Sequence, residues 1–300
     1  LPGFFRAMLS LRKIIGDVKP DVIHSHMFHA NIMMRVVRLF PSRFYRTICT
    51  AHNKNEGGKL RMLLYRFTDW LSDINTNVSK EALASFINKK AFSGSKSFVV
   101  YNGIDINNFD YSDDKRWRIR EELGFNEEDT VLLSVGRLTA AKDYPNLLNA
   151  FRLLPPQFRL VIIGDGDLRE TIEKQISADD LHHRVILLGS ISAVSGYYSA
   201  CDMFVLSSEW EGFGLVVAEA MACERIAVCT DAGGVREVIG NDDFIVPVSN
   251  SKALAEKILS AAGIDASLKV KIQKDNRKHI VDSFAIDNVV EQWLRLYSSK

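Results

Sequence analysis

The sequence predicts an α/β protein with two doubly wound domains. Short apolar runs that end in polar or turn residues alternate with segments of helical spacing, which is typical of parallel sheets with helices on both faces. A polar, charged stretch at residues 107–117 interrupts this alternation. The length of 300 residues is too great for one ordinary core and suits two domains of about 150 residues each.

The first half of the chain contains four apolar runs that we interpret as buried strands. They lie at residues 20–26, 46–52, 73–79 and 97–103. Amphipathic helices are predicted before and between them, at residues 4–20, 32–39, 59–71 and 80–89. Residues 1–112 therefore form the predicted N-terminal domain.

The second half repeats the alternation and predicts a doubly wound sheet of its own over residues 113–283. Its six predicted strands lie at residues 130–137, 159–166, 184–190, 203–208, 225–231 and 243–248. Its predicted helices lie at residues 144–154, 168–177, 192–200, 215–222, 235–239 and 251–262. A last helix at residues 287–297 belongs to a C-terminal segment, residues 284–300, which we expect to pack back towards the N-terminal domain.

Composition excludes several classes of protein. The apolar fraction of 47% and the charged fraction of 25% are those of a globular protein, and no apolar run approaches the roughly 20 residues of a membrane span. The cysteines lack close pairing and zinc spacing, so we expect reduced, mostly buried thiols in a cytoplasmic protein. Signatures of nucleic-acid binding are missing, so no nucleic-acid partner is expected.

The two halves differ in charge. Residues 1–110 carry 16 Lys and Arg against 8 Asp and Glu, whereas the remainder carries 22 against 29. Such asymmetry indicates that the first half faces an anionic partner, such as a phosphate-bearing substrate or a bilayer surface, unless it reflects only uneven solvated surface. The segments "NIMMRVVRLF" and "KLRMLLYRF" combine cations with apolar residues. This pattern is typical of peripheral contact with an anionic membrane, and about as typical of amphipathic helices that pack on a sheet.

Polar residues follow several predicted strands, and ligands of open parallel sheets bind at the carboxyl ends of strands. Arg137 ends one strand and Lys142 follows it in "GRLTAAK". A guanidinium and an ammonium over one crevice can clamp a diphosphate. Ordinary surface cations are the plainer alternative.

The stretch "EWEGFGLVVAEAMA" places two carboxylates, Glu211 and Glu219, around a glycine-framed turn that leads into a helix. Gly212 and Gly214 allow a sharp turn, and the helix beginning near Leu215 presents free N–H groups to an anion. The carboxylates need neutral hydroxyls as partners, such as those of a sugar or a ribose. A nucleotide-diphosphate sugar meets all these demands, although a helix-start carboxylate and a solvated glutamate would look similar.

Two further patterns resemble metal-binding motifs, but we interpret both without a metal. His24, His26 and His29 lack an acidic partner at ligand spacing, so we assign them structural or acceptor-side roles. The "DGD" at residues 165–167 follows an apolar strand and precedes a helix, so we expect Asp167 to cap that helix. No metal and no other cofactor is predicted.

The chain resembles the retaining glycosyltransferases of family 4, which have the GT-B fold of two Rossmann-like domains facing a central cleft. The match spans nearly the whole chain through nine segments in the family's order: "DVIHSH", "TAHN", "NVSKEA", "VYNGID", "VGRLTAAKDY", "IIGDGDLR", "LLGS", "EGFGLVVAEAMA" and "AGGVREVI". The Glu-x7-Glu segment is the most specific of these.

The resemblance implies a role for each matching residue. His52 would point at the reacting sugar, Arg137 and Lys142 would bind the donor pyrophosphate, and Glu211 would contact the donor sugar hydroxyls. Glu219 would hold the ribose of the nucleoside. The remaining donor-binding positions implied by the resemblance are Gly212, Phe213, Gly214, Leu215 and Val216 at the phosphates, Leu188 and Gly189 near the base, and Asp165.

The expected function is transfer of a hexose or N-acetylhexosamine from a nucleotide-diphosphate sugar, with UDP favoured, to a glycan or lipid-linked acceptor in polysaccharide biosynthesis. The family opens with a strand and a glycine-rich loop, whereas this chain begins with the helix at residues 4–20. We therefore expect the first strands of the N-terminal domain to be missing. A non-catalytic nucleotide-sugar-binding protein and a GT-B sugar-nucleotide epimerase stay open as alternatives.

Overall fold

The computed structural model describes residues 2–40, 45–54 and 56–298, which form two compact units. The N-terminal unit comprises Leu1–Asn102 together with Val289–Lys300, and the C-terminal unit comprises Gly103–Asn288. The boundary predicted from the sequence falls after residue 112 instead. In the structure the intervening residues pack on the C-terminal unit, where Ile104 forms a bridge with Ala285.

The N-terminal unit is a four-stranded parallel sheet in the order β1-β2-β3-β4, with helices in the connections. Its elements are α1 (Pro2–Val18), β1 (Val22–His26), α2 (Met27–Val37), β2 (Arg46–Ala51), α3 (Lys59–Thr68), β3 (Ile74–Asn77), α4 (Lys80–Asn88) and β4 (Ser97–Val99). The four predicted strands are thus confirmed, each shorter than predicted, most of all β4 with 3 residues. Because consecutive strands are neighbours, their carboxyl ends bring residues 26, 52 and 77 to one edge.

Arg35 on α2 lies in the interior of this unit with no exposed surface. Its guanidinium donates to the Tyr65 carbonyl at 3.0 Å and to Asn75 Oδ1 at 2.7 Å, and it stacks over the Tyr65 ring. Arg38 forms a bidentate pair with Asp73. Arg35 is therefore not available to a membrane surface, because it holds α2 to α3 and β3, whereas the predicted peripheral contact of this half of the chain stays a prediction.

The C-terminal unit is a six-stranded parallel sheet in the order β10-β9-β8-β5-β6-β7. Its strands are β5 (Thr130–Val135), β6 (Phe158–Ile163), β7 (Val185–Gly189), β8 (Met203–Leu206), β9 (Ile226–Thr230) and β10 (Ile245–Val246). Its helices are α5 (Asp113–Glu122), α6 (Tyr144–Phe151), α7 (Arg169–Ala178), α8 (Ser195–Ala200), α9 (Leu215–Ala222), α10 (Val235–Ile239), α11 (Ser251–Ala262) and α12 (Ala266–Phe284). The final helix, α13 (Ile286–Ser298), belongs from Val289 onward to the N-terminal unit. The strand order reverses at β5, between β6 and β8, which is where doubly wound sheets place their ligands.

The glycine at the end of β6 shows how closely the strand ends approach each other. Gly164 has φ of +145°, and a Cβ built on it would lie 1.9 Å from the Gly136 carbonyl oxygen. Any side chain here would separate the loops that follow β5 and β6. The backbone beside the switch point therefore requires glycine.

Two helices and one helix cap differ from the sequence analysis. The structure adds α5 and the 19-residue α12, which the sequence analysis does not predict. Much of α12 is polar, and its Leu268 and Val270 are exposed, so its pattern gives no clear apolar face. The cap assigned to Asp167 is wrong: α7 begins at Arg169, and Leu168 is its N-cap, with no side-chain cap bond.

Candidate functional site

The loop after β5 carries the two predicted phosphate ligands in different states. Arg137 follows the strand end and is exposed, and its side chain has no hydrogen bond or ion pair within the described part of the chain. Lys142 closes a short 3₁₀ turn and is mostly buried. One cation is free to meet a ligand, and the other is already held by the protein.

Lys142 forms an ion pair with Glu211, with Nζ to Oε1 at 2.5 Å and both side chains less than a fifth exposed. Ser208 Oγ donates to the same carboxylate oxygen at 2.7 Å, and Ser207 Oγ donates to the Lys142 carbonyl at 2.8 Å. The structure thus brings together a cation from the β5 loop and a carboxylate from the β8 loop. The second carboxylate oxygen of Glu211 stays available to a hydroxyl.

The turn that carries Glu211 is fixed from behind by β9 and the loop after it. Thr230 Oγ1 donates to the Ser208 carbonyl at 2.6 Å. Gly233 has φ of +61°, and a Cβ on it would lie 2.2 Å from the Glu211 carbonyl oxygen. This contact gives a physical reason for the first glycine of the pair in "AGGVREVI", which had no role assigned from the sequence.

The start of α9 has the geometry of an anion site. Gly214 is its N-cap with φ of +97°, and the first N–H groups of a helix have no intrahelical partner. Leu215 is exposed and Val216 is half-buried, whereas the Phe213 side chain is buried against Phe284. The predicted contact by Phe213 therefore concerns its backbone only.

Glu219, in the second turn of α9, is mostly buried and accepts a hydrogen bond from the Tyr198 hydroxyl at 2.7 Å. Burial raises the pKa of Glu219, and this effect outweighs the opposing influence of the Tyr198 hydrogen bond and the positive charge of Lys142. Tyr198 has no exposed surface and fixes one carboxylate oxygen. The other oxygen is left to bind a ligand.

The remaining predicted donor-side residues lie at the ends of β6 and β7. Asp165 is exposed and accepts from the Gly166 amide at 2.8 Å, closing its own turn. Leu188 and Gly189 are the last residues of β7, and the Gly189 carbonyl accepts from the Gly164 amide at 2.8 Å. All three lie at the carboxyl edge of the sheet, and no described contact links them to the Lys142–Glu211 pair.

His52 belongs to the N-terminal unit, where it is part of a three-histidine array with His24 and His26. His26 Nδ1 lies 3.0 Å from His52 Nε2, and the rings of His24 and His26 are 4.1 Å apart. Burial lowers the pKa of His24 to about 4, with His26 and His52 disfavouring its charged form further. Burial also lowers the pKa of His26 and of His52. The array is therefore uncharged near neutral pH.

A buried glutamate holds the loop that follows His52. Glu56 Oε1 accepts from the His52 amide at 3.0 Å, and its Oε2 accepts from the Tyr65 hydroxyl at 2.5 Å. Burial raises the pKa of Glu56 despite these hydrogen bonds. The His52 backbone is thereby connected to α3.

Among the described residues one group could hold a metal ion: Asp180, His182 and His183, all exposed. These residues precede β7, so they lie at the amino edge of the sheet, away from the Lys142–Glu211 pair. His24, His26 and His29 do not form such a group. The bonds of His24 to Thr50 and Tyr297 occupy both its ring nitrogens.

The residues that orient the predicted ligands are not evident from the sequence. Ser208 and Tyr198 hold the two glutamates, and Glu56 holds His52. Ser208 lies only three residues before Glu211, so a hydroxyl there was a usable signal. Tyr198 and Glu56 carry no motif that would distinguish them from core residues.

Comparison with known proteins connects this geometry to a family. Residues 115–279 match the family model described as "Glycosyl transferases group 1", and residues 1–108 match that of "Glycosyltransferase Family 4". A Campylobacter jejuni protein is 30% identical over 68% of this chain and 58% of its own length; it is named N-acetylgalactosamine-N,N'-diacetylbacillosaminyl-diphospho-undecaprenol 4-alpha-N-acetylgalactosaminyltransferase. The putative glycosyltransferase EpsD of Bacillus subtilis is 28% identical over 96% of this chain and 79% of its own length.

A solved structure shows the same fold. Anabaena Alr3699/HepE in complex with UDP superposes with a TM-score of 0.90 at 21% identity, covering 98% of this chain and 82% of that one. The prediction of two Rossmann-like α/β domains of the GT-B type is thereby confirmed. With the first family model covering more than half of the residues, the chain belongs to the family of group 1 glycosyl transferases.

Proposed function

We propose that the chain is a retaining glycosyltransferase that moves a hexose or N-acetylhexosamine from a nucleotide-diphosphate sugar, with UDP favoured, to a glycan or lipid-linked acceptor in polysaccharide biosynthesis. The observation that carries the proposal is the Lys142–Glu211 pair beside the α9 N-terminus. It combines a phosphate-binding cation with a hydroxyl-binding carboxylate in one unit. The C. jejuni relative, named for a diphospho-undecaprenol acceptor, and the UDP complex of Alr3699/HepE support the choice of acceptor and base.

The donor is recognised by charge and by hydrogen bonding. Arg137 and Lys142 neutralise the diphosphate, and the N–H groups at the start of α9 bind its oxygens. Glu211 accepts from sugar hydroxyls through the oxygen that Lys142 and Ser208 leave open. Glu219, oriented by Tyr198, accepts from the ribose hydroxyls.

Transfer with retention needs no protein nucleophile. The bond between the sugar C1 and the phosphate oxygen breaks, and the acceptor oxygen bonds to C1 from the same face. The acceptor proton passes to the leaving phosphate. Arg137 and Lys142 stabilise the negative charge that develops on that phosphate, and His52 binds the reacting sugar.

Glu219→Ala is expected to abolish nucleotide binding at the donor site. We would measure thermal shifts of the chain with UDP, GDP, ADP and their common sugar conjugates. A ligand at about 100 times its Kd adds about 2.7 kcal/mol of stability, and the variant loses the charge-assisted bonds to the ribose. Glu170→Ala, which changes an exposed helix glutamate, is the matched control.

A nucleotide that shifts the wild type and the Glu170→Ala control, but not Glu219→Ala, supports the proposed donor site and names the base. Absence of a shift with every nucleotide contradicts it. Assays with and without an acceptor then separate the alternatives: an epimerase forms product without acceptor, and a binding protein forms none.

The exposed face of α3, in the N-terminal unit, also fits an anionic bilayer. Four exposed apolar residues lie on one face of α3 or at its margin: Leu60, Leu63, Leu64 and Phe67. The exposed Trp70 lies just beyond the helix, whereas Met62 and Tyr65 face the core. The exposed Lys59 and Arg66 flank this face. Within the described ranges no helix is long and apolar enough to cross a membrane. Shallow insertion of α3 from the cytoplasmic side is therefore the proposed mode of contact.

The double variant Leu64→Gln/Phe67→Gln is expected to lower binding to phosphatidylglycerol vesicles by about 10-fold or more, since burial of one large apolar side chain is worth about 1.5–3 kcal/mol. Co-sedimentation at low salt measures it. Leu268→Gln, at an exposed apolar position of α12 in the other unit, should bind like the wild type. Equal binding by all three proteins, or no binding by the wild type, would exclude this surface.

A further inference from the structure

The three-histidine array is built from two neighbouring strands and the C-terminal helix. His24 and His26 lie two residues apart on β1, and His52 comes directly after β2, its parallel neighbour. Alternate strand residues share a face, so the imidazoles are side by side. The array therefore follows from the register of β1 against β2.

The bond between His26 and His52 restricts both rings. A contact of 3.0 Å between His26 Nδ1 and His52 Nε2 requires one proton between the two nitrogens, because two protons would repel and none would leave no donor. The tautomers of the two rings are thus coupled: both rings carry their proton on Nδ1, or both carry it on Nε2. His52 Nδ1 has no described partner and is free for a ligand.

His24 is held through both of its ring nitrogens and by a ring contact. Its Nε2 lies 2.6 Å from Thr50 Oγ1, which in turn lies 2.6 Å from Thr76 Oγ1. Its Nδ1 lies 2.8 Å from the Tyr297 hydroxyl, and Trp293 covers the ring at a centroid distance of 4.4 Å. With both nitrogens bonded, His24 cannot turn and serves as a fixed surface for His26.

His26 has no evident role in the core. It is exposed, and its described contacts are the hydrogen bond to His52 and the ring contacts with His24 and His52. Substitution of such a surface residue usually changes stability little. A histidine that the fold does not need, but that bonds the side chain assigned to the reacting sugar, points to a role in the reaction.

We propose that His26 is a positioning residue that fixes the ring orientation and tautomer of His52, and that Tyr297 and Trp293 of α13 hold His26 in place through His24. The array matters for transfer only if the proposed function holds. Its geometry can be tested without any substrate. Two groups besides the three histidines titrate beside the array: Glu56 behind the His52 amide, and Tyr297 on α13.

The test is ¹⁵N NMR of the histidine side chains in the full chain at pH 7.5, with signals assigned by single substitutions. In the wild type the signals of His26 and His52 should report the same tautomer, since one proton is shared between the two rings. In His26→Ala the two nitrogen signals of His52 should change, because its tautomer is no longer coupled to that of His26. His26→Asn keeps a polar atom near the position of Nδ1 and should restore the wild-type pattern. His182→Ala, at an exposed histidine of the other unit, should change nothing.

Tyr297→Phe removes only the hydroxyl that bonds His24 Nδ1, and it should shift the signals of His24 and, more weakly, of His52. Tyr111→Phe in the other unit is the control. Unchanged His52 signals in His26→Ala overturn the positioning role. Unchanged signals in Tyr297→Phe overturn the contribution of α13.

Kinetics separate this inference from the proposed function. With a donor and acceptor that the wild type uses, His26→Ala should lower kcat by about 10- to 100-fold and change the donor KM by less than about 3-fold. Wild-type kcat in His26→Ala overturns the inference while the proposed function stands. An NMR response in a wild-type chain that transfers no sugar supports the array and contradicts the proposed function.

Discussion

Lys142→Ala is expected to lower kcat/KM for sugar transfer by about 100- to 1,000-fold, as removal of a transition-state charge contact does in other enzymes. The substitution has two effects. It removes the cation that would stabilise the leaving phosphate, and it leaves Glu211 mostly buried without its ion-pair partner. The unpaired carboxylate would also repel the diphosphate.

The measurement is transfer of radiolabelled sugar, together with urea unfolding to confirm that the variant is folded. Lys252→Ala, at an exposed lysine of α11, is the matched control. Glu211→Gln tests the other partner: it keeps an acceptor for hydroxyls but loses the charge, so it should reduce transfer less than Glu211→Ala. Activity of Lys142→Ala within about 3-fold of the control would contradict the assigned role.

Arg35→Ala is expected to destabilise the N-terminal unit by about 3–5 kcal/mol, the usual cost of removing one partner of a buried charged network. The guanidinium satisfies the Tyr65 carbonyl and Asn75, and it lies 3.7 Å from Asp69. Removal of the guanidinium takes away these contacts at once, although Asn75 keeps the bond from Ser72 and Asp69 keeps its ion pair with Lys96. The loss is also one of packing, because the side chain fills space beside Tyr65.

Hydrogen exchange localises this effect. Amides of β1, β2 and β3 should exchange much faster in Arg35→Ala, while those of β5 and β6 in the other unit keep their protection. Arg66→Ala, at an exposed position on α3, should leave both units unchanged. Arg35→Met retains most of the volume and separates packing from charge. Wild-type protection in Arg35→Ala would show that the network is dispensable.

The sequence predicted α9 closely because its start carries several agreeing local signals. The bounds of that helix, residues 215–222, agree with the structure. Two glycines, a carboxylate and an apolar run occur within a few residues, and each depends only on its neighbours in the chain. The same holds for the strands, whose apolar runs have clear ends.

Contacts between distant residues could not be predicted in this way. Lys142 and Glu211 are 69 residues apart, and their pairing depends on β5 and β8 being neighbours. A sequence-based interpretation assigned both to the donor without anticipating that they bind each other. The Arg35 network was missed for the same reason, since a cation within an apolar helix looks identical whether it faces water or a polar interior.

The N-terminal unit is discontinuous in the chain, since Trp293 and Tyr297 belong to it but are made after the C-terminal unit. At synthesis rates of about 5–20 residues per second, the first strands wait on the order of 10 s or more for the helix that covers His24. During that interval β1 and β2 can pair, but His24 lacks the groups that hold it. A ribosome that stops before α13 is made would thus release a chain with a formed sheet and an unanchored histidine array.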